Sequence, residues 1–204
     1  MHSTNEDILL NKARDGDIAA FEHLMSTHYK KVYNICYRMV NNAEDASELA
    51  QETFLKVYRH ISDFKGNSSI STWLYRIASN VCLDFLRKNK KHQTISLEKE
   101  TFEDLQIKDM ISTVDEGPEK IAESNEKKAA IKEALSKMNE LNRNAVILRD
   151  FMNLSYEEMS NALNLPIGTV KSRISRARSE LRDLLTSGKE HLFSDYVKKD
   201  RREG

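Results

Sequence analysis

The residues whose types and spacing point to a chemistry lie at 156–185, YEEMSNALNLPIGTVKSRISRARSELRDLL, and that chemistry is recognition of a polyanion. Laid out at about 100° per residue, Val170, Ile174, Ala177, Leu181, Leu184 and Leu185 share one stripe, while Thr169, Ser172, Ser175, Arg176 and Ser179 fall opposite. One face packs and the other is free to read. Small polar side chains suit a helix tip in a major groove, and Lys171, Arg173, Arg176, Arg178 and Arg182 suit the phosphates beside it. Asn164-Leu165-Pro166 marks the turn before this helix, because proline's missing N–H has no intrahelical partner in a first turn. The whole reads as a helix-turn-helix. A solvated basic face on a bundle helix has the same charge pattern, and the proline-bounded turn favours DNA.

Two further constellations lie upstream. Trp73, Arg76, Asn80, Asp84 and Arg87 line one helical face and lead into the basic cluster Arg87, Lys88, Lys90 and Lys91. An aromatic platform, an amide and positive charge suit single-stranded nucleic acid, although Trp73 also reads as a structural residue at the core boundary. Asp45, Glu48, Glu52, Leu55 and Arg59 form the reverse face of an earlier helix. That face is either solvation or a docking surface for a basic partner, with Leu55 as its apolar contact.

Nothing points to bond making. The chain has no Ser/His/Asp set, no phosphate-binding glycine loop and no metal-ligand cluster, so no catalytic residue, metal or cofactor is expected and the protein is read as not an enzyme. Cys36 and Cys82 lack CxxC spacing and read as buried free thiols, and His28 sits in an apolar stripe as a core-edge histidine.

The elements that must position these residues are all helical. Only 6 glycines and 2 prolines in 204 residues leave few turns for a sheet, and no alternating apolar run competes with the helical periodicity. Helices are expected over 5–40 with a break at Asp15-Gly16-Asp17, over 43–61, and over 71–89 after the loop 64–69. Residues 93–127 lose periodicity and gather acidic side chains around Gly117-Pro118, as in a flexible linker, and a small four-helix unit follows from about residue 129. The fold class is therefore all-α, with two small helical domains at 1–92 and 128–186, an acidic linker at 93–127 and a mixed-charge tail at 187–204. Lys plus Arg (32) balance Asp plus Glu (32), so the sign of nucleic-acid binding lies in charge segregation alone. No apolar run approaches membrane-spanning length and no signal-peptide core is present, so a cytoplasmic protein without membrane insertion is expected.

Four blocks in order, AFEHLMSTHYKKVYNICYRMV, DASELAQETFLKVYRHISDFKG, STWLYRIASNVCLDFLRK and LSYEEMSNALNLPIGTVKSRISRARSELRDLL, resemble a bacterial sigma-70 family RNA polymerase sigma factor of the extracytoplasmic-function (ECF) group. The resemblance covers about residues 17–186 and implies a region 2-like domain followed by a region 4-like one. It implies that Asp45, Glu48, Gln51, Glu52, Phe54 and Leu55 dock on the β′ clamp helices of core RNA polymerase, with the β flap as a further contact. It implies that Lys65, Asn67, Ser68, Ser69, Trp73, Arg76, Asn80, Arg87 and Lys88 bind the −10 element. The glycine and small polar side chains of the 65–69 loop let it approach a flipped base closely and bond its exposed edge. The −35 element falls to Thr169, Lys171, Ser172, Arg173, Ser175, Arg176 and Arg178. Promoter DNA and an anti-sigma factor are the other implied partners. Leu141-Asn142 stands where the family usually has Leu-Pro, and Met159-Ser160 where an aliphatic-Ala pair is common. A stand-alone helix-turn-helix regulator is the competing reading, but it has no evident use for the Trp73 strip or the acidic face.

Overall fold

The computed structural model describes residues 5–93 and 118–187, with side chains described for 5–90 and 125–187. Among them every regular element is a helix, and none is long and apolar enough to cross a membrane. Helix α1 (Asn5–Arg14) meets α2 (Ile18–Val40) at the expected break, where Gly16 takes φ 93° and Asp17 caps α2 by accepting the Ala20 N–H at 3.0 Å. Adjacent asparagines then close one helix and open the next. Asn41, at φ 59°, ends α2 with its N–H on Tyr37 O, and the Asn42 side chain accepts from Glu44 and Asp45 at the start of α3 (Ala43–His60). A 3-10 turn (Ile61–Asp63) and the 64–69 loop lead to α4 (Ile70–Gln93).

Helices α2, α3 and α4 pack because each carries a stripe of small and branched apolar residues. Val32, Ile35 and Met39 of α2, Ala46, Ala50 and Val57 of α3, and Leu74 and Ala78 of α4 are completely buried. Each fully buried large side chain contributes about 1.5–3 kcal/mol over leaving it in water. The alanines let the helix axes approach closely.

The second unit comprises α5 (Pro118–Lys137), α6 (Glu140–Val146) running into a π turn (Ile147–Phe151), α7 (Tyr156–Leu163) and α8 (Ile167–Thr186). Its core is Leu135, Ala145, Ile147, Leu148, Met159, Val170, Ile174 and Leu181. Helix α5 begins at Pro118, inside the stretch read from sequence as linker. Proline presets the first-turn dihedral, and the Glu, Lys and Ala residues that follow favour helix without marking an apolar stripe. The remaining linker residues, 94–117, and the tail from 188 lie outside the described residues.

The two units pack against each other, α5 and the π turn on α2, and α6 and α7 on α4. Arg143 of α6, only 7% exposed, donates to Met39 O in the last turn of α2, and to Ser136 O (2.8 Å) and Met138 O (3.0 Å) beside it. The last carbonyls of a helix lack intrahelical donors and carry partial negative charge, so a buried cation fits there. Burial pushes the Arg143 pKa down, and Glu140 and Glu180 oppose that. Ser79 Oγ of α4 donates to Asn144 Oδ1 at 2.9 Å, the Arg38 guanidinium sits 4.0 Å over the Phe151 ring, and Lys90 Nζ meets Glu140 at 2.5 Å.

Candidate nucleic-acid interface

The α7–turn–α8 unit owes its shape to local hydrogen bonds. Ser155 and Glu158 form a reciprocal capping box at the start of α7, with the side chain of each accepting the other's N–H at 3.1 and 2.8 Å. Asn164 ends α7 at φ 52°, and the Ser160 hydroxyl donates to Leu165 O at 2.5 Å. Pro166 is the cap residue itself, and its carbonyl accepts the Val170 N–H at 3.0 Å. The chain thereby enters α8 at a sharp angle. Glu180 locks α8 to α6 by accepting from Asn139 N and Asn142 Nδ2.

With Val170, Ile174, Ala177, Leu181 and Leu185 buried, α8 exposes Thr169, Lys171, Ser172, Ser175 and Arg176, and half-buries Arg173. The Ser172 hydroxyl donates back to Thr169 O, and Lys171 Nζ lies 5.6 Å from the Tyr156 ring centre. Arg178 is differently placed. Its guanidinium is three-quarters buried and forks onto Asp150 at 2.6 and 3.3 Å, which ties α8 to the π turn.

In the 64–69 loop, Lys65, Asn67 and Ser69 are exposed and Ser68 is half-buried. Gly66 at φ 72° makes the turn that a side-chain-bearing residue would strain. The Ser69 hydroxyl is committed to the start of α4, where it accepts the Thr72 N–H at 3.1 Å. Trp73 is 8% exposed and packs on Phe64 with ring centres 5.2 Å apart, so most of its indole is core. Arg76, Asn80, Arg87 and Lys88 are exposed, and Arg87 is paired with Asp84 at 2.6 Å. Asn67, Ser68, Trp73 and Arg76 line a cleft of about 510 Å³ whose opposite wall is Asn161 and Pro166 of the helix-turn-helix.

On α3, Glu48, Gln51, Glu52 and Leu55 are exposed, while Asp45 and Phe54 are half-buried. Burial, aided by neighbouring Glu44, raises the Asp45 pKa above the usual carboxylate value. Glu52 pairs with Lys56 at 2.9 Å. Two aromatics that the sequence reading left out extend this face. Tyr58 is 50% exposed and sits edge-on to Phe21 at 5.0 Å, and Tyr29 is 44% exposed and stacks on Phe54 at 5.9 Å. Tyr58 lies three residues beyond Leu55, so helical spacing could have found it; Tyr29 comes from another helix.

Among the described residues no group of three His, Cys, Asp or Glu could hold a metal ion. Cys36 and Cys82 are buried free thiols, and the Cys82 pKa is driven up by its hydrogen bond with Cys36 and by burial. His28 is buried with Nε2 at 2.8 Å from Glu6 Oε1, joining α2 to α1.

The sequence profile of sigma-70 region 2 matches residues 24–92, and that of sigma-70 region 4 matches residues 128–181. The ECF RNA polymerase sigma factor SigW of Bacillus subtilis (strain 168) is 35% identical over 176 residues, spanning 86% of this chain and 94% of its own. This chain belongs to the ECF group of the sigma-70 family. The fold of this sigma factor is also that of CnrH, solved in complex with the cytosolic domain of CnrY, at TM-score 0.64 and 22% identity over 89% of this chain and 97% of that one. A sigma factor RpoE solved with the anti-sigma factor NepR from Bartonella quintana superimposes at TM-score 0.62 and 24% identity, covering 83% and 98% of the two chains. Region 2 of this sigma factor thus holds the 64–69 loop, the α4 strip and the α3 face, and region 4 holds the helix-turn-helix.

Proposed function

We propose that this sigma factor confers promoter selection on core RNA polymerase through three surfaces: the α3 face, the α8 tip, and the loop with the α4 strip. The α3 face, with Asp45, Glu48, Gln51, Glu52, Phe54 and Leu55, docks on a basic surface of the enzyme, and Tyr58 and Tyr29 add apolar contact. Thr169, Lys171, Ser172, Arg173, Ser175 and Arg176 face −35 duplex DNA. The 65–69 loop with Arg76, Asn80, Arg87 and Lys88 holds the separated −10 strand, against the exposed edge of Trp73. The chain itself makes and breaks no bond: strand opening exchanges base stacking for pockets and charge.

The observation that carries this reading is the α3 face, where exposed Leu55 and Tyr58 lie among carboxylates. A regulator that binds duplex DNA unaided has no use for it. Carboxylates around an apolar centre match a partner with a basic rim, and orientation comes from the charges. By analogy with the complex of RpoE and the anti-sigma factor NepR, an anti-sigma partner in the cytoplasm is part of the same reading.

The test is run-off transcription with purified core polymerase and a promoter library, together with Glu48→Lys/Glu52→Lys. The parent chain is expected to select start sites, and the charge-reversed variant is expected to lose co-purification with core polymerase while staying folded. A parent that gives no start-site selection, yet binds operators alone as a dimer, points to the stand-alone regulator instead.

A further inference from the structure

A run of stacked aromatic rings leads away from the α3 face along α2. Tyr29, Tyr33 and Tyr37 recur every four residues, with ring centres 6.3 and 6.2 Å apart and nearly parallel planes. Phe54 of α3 continues the run beyond Tyr29 at 5.9 Å, and Lys132 of α5 lies 5.7 Å over Tyr37 at the other end. From Tyr29 to Tyr37 is eight residues of helix, about 12 Å. Tyr29 is 44% exposed and Leu55, next to Phe54, is 57% exposed, while Tyr33 and Tyr37 are half-buried. Rings at that spacing, left partly wet, suit the apolar side of an incoming helix, whose anchors recur at three and four residues. Glu48 and Glu52, exposed on α3, give the strip a negative border.

One segment of this chain fits both the rings and the border. Within 188–204, Leu192, Phe193, Tyr196 and Val197 fall on one side at helical spacing, and KKDRR at 198–202 follows with four cations to one carboxylate. The acidic stretch 94–117 has the opposite sign and suits the carboxylates badly. The reach is sufficient. Helix α8 is capped at Ser187 and packs on α5, which in turn packs on α2. Two helix-to-helix steps cover about 16–20 Å, and six extended residues from Ser187 to Phe193 span about 20 Å. A helix of the length of 192–202 spans about 15 Å, close to that of the strip, which brings its cations to the Phe54 end beside the carboxylates.

We propose that residues 188–204 dock in cis on the Tyr29–Tyr37 strip, with Phe193 and Tyr196 against the rings and the 198–202 cations against the α3 carboxylates, and so compete with core polymerase for the α3 face. The contact stands on the strip and on the sequence of the segment, while the competition rests on the functional reading above. A tethered segment meets its site at an effective concentration on the order of millimolar, so modest contact holds it there. The fraction of chains with the face covered scales down the apparent affinity for polymerase, and two chains covered in three lower it about threefold.

The test puts the photoreactive residue p-benzoylphenylalanine in place of Phe193 in the full chain. Irradiating the free chain is expected to give a product of monomer mass whose cross-linked peptide carries Tyr29, Tyr33 or Tyr37, and core polymerase added first is expected to suppress it. A product of dimer mass makes a second copy the occupant, and a cross-link elsewhere, or none, leaves the strip without this segment; each overturns the contact. In the full chain, Phe193→Ser/Tyr196→Ser is expected to tighten binding to core polymerase by about threefold or more. A variant that binds no more tightly than the parent overturns the competition. Core polymerase that captures neither parent nor variant overturns the docking of α3 on the enzyme, and the competition with it, while the cross-link still decides the contact.

Discussion

Arg176 and Arg178 stand two positions apart on α8 and have different tasks. Arg176 is exposed on the strip with Thr169 and Ser172, whereas Arg178 is held by Asp150. Arg176→Ala is expected to weaken binding to a −35-containing duplex by about 1–3 kcal/mol, with discrimination relaxed at one base position. Arg178→Ala is expected to lower the melting temperature and leave that discrimination in place. Titrating both variants against a parent duplex and its single-base variants checks this; equal loss of base discrimination in the two would break the distinction. The outward set of α8 was legible in the sequence because a 3.6-residue period sorts Thr169, Ser172, Ser175 and Arg176 away from Val170 and Ile174. The hold on Arg178 was not, since Asp150 lies 28 positions earlier and no local pattern pairs them. Trp73 was open between platform and core for a similar reason, as only the fold brings Phe64 against it.

Helix ends decide how these side chains are aimed, and most of them were written locally. Asp15-Gly16-Asp17, Asn41-Asn42 and Asn164-Leu165-Pro166 each combine a residue tolerant of positive φ with a capping or helix-starting one, and each became a sharp break. The start of α5 escaped because its helix rests on propensity without an apolar stripe. Ser155 gives an element-scale prediction. Its hydroxyl and the Glu158 carboxylate hold the first turn of α7, and Ser155→Ala is expected to cost about 1 kcal/mol. In a unit of about 60–100 residues that lowers the melting temperature by about 4–8 °C, and in one of about 150–250 by about 2–4 °C. Because α6 and α7 pack on α4, the free chain is expected to melt as the larger unit. Calorimetry on parent and variant separates the cases: two transitions, with only one displaced, would mean that regions 2 and 4 melt apart.

At the scale of the molecule, the sequence disclosed two helical units but not how the units meet. Amphipathic stripes report which face is apolar, while this meeting depends on Arg143, Asn144, Ser79 and Lys90, residues that any pattern assigns to solvent. The Lys90–Glu140 pair at its edge predicts a pH response. The hydrogen bond from Lys90 holds the Glu140 carboxyl below its usual 4.5, with burial opposing and Arg143 assisting. A folded-state pKa below the unfolded one means that the pair stabilises packing above about pH 4.5, and that this is lost as pH falls through the lower folded value. Lys90 is 68% exposed, so the contribution is at most about 1 kcal/mol, or about fivefold in the ratio of packed to separated domains. Energy transfer between dyes on exposed Asn89 and Lys137 is expected to drop as pH goes from about 6 to about 4. Other carboxylates titrate over the same range, so the assignment rests on Glu140→Gln, which removes the charge. That variant is expected to start with lower transfer at the upper pH and to fall less steeply. A variant curve that overlays the parent's would show that this pair does not help hold region 4 on region 2.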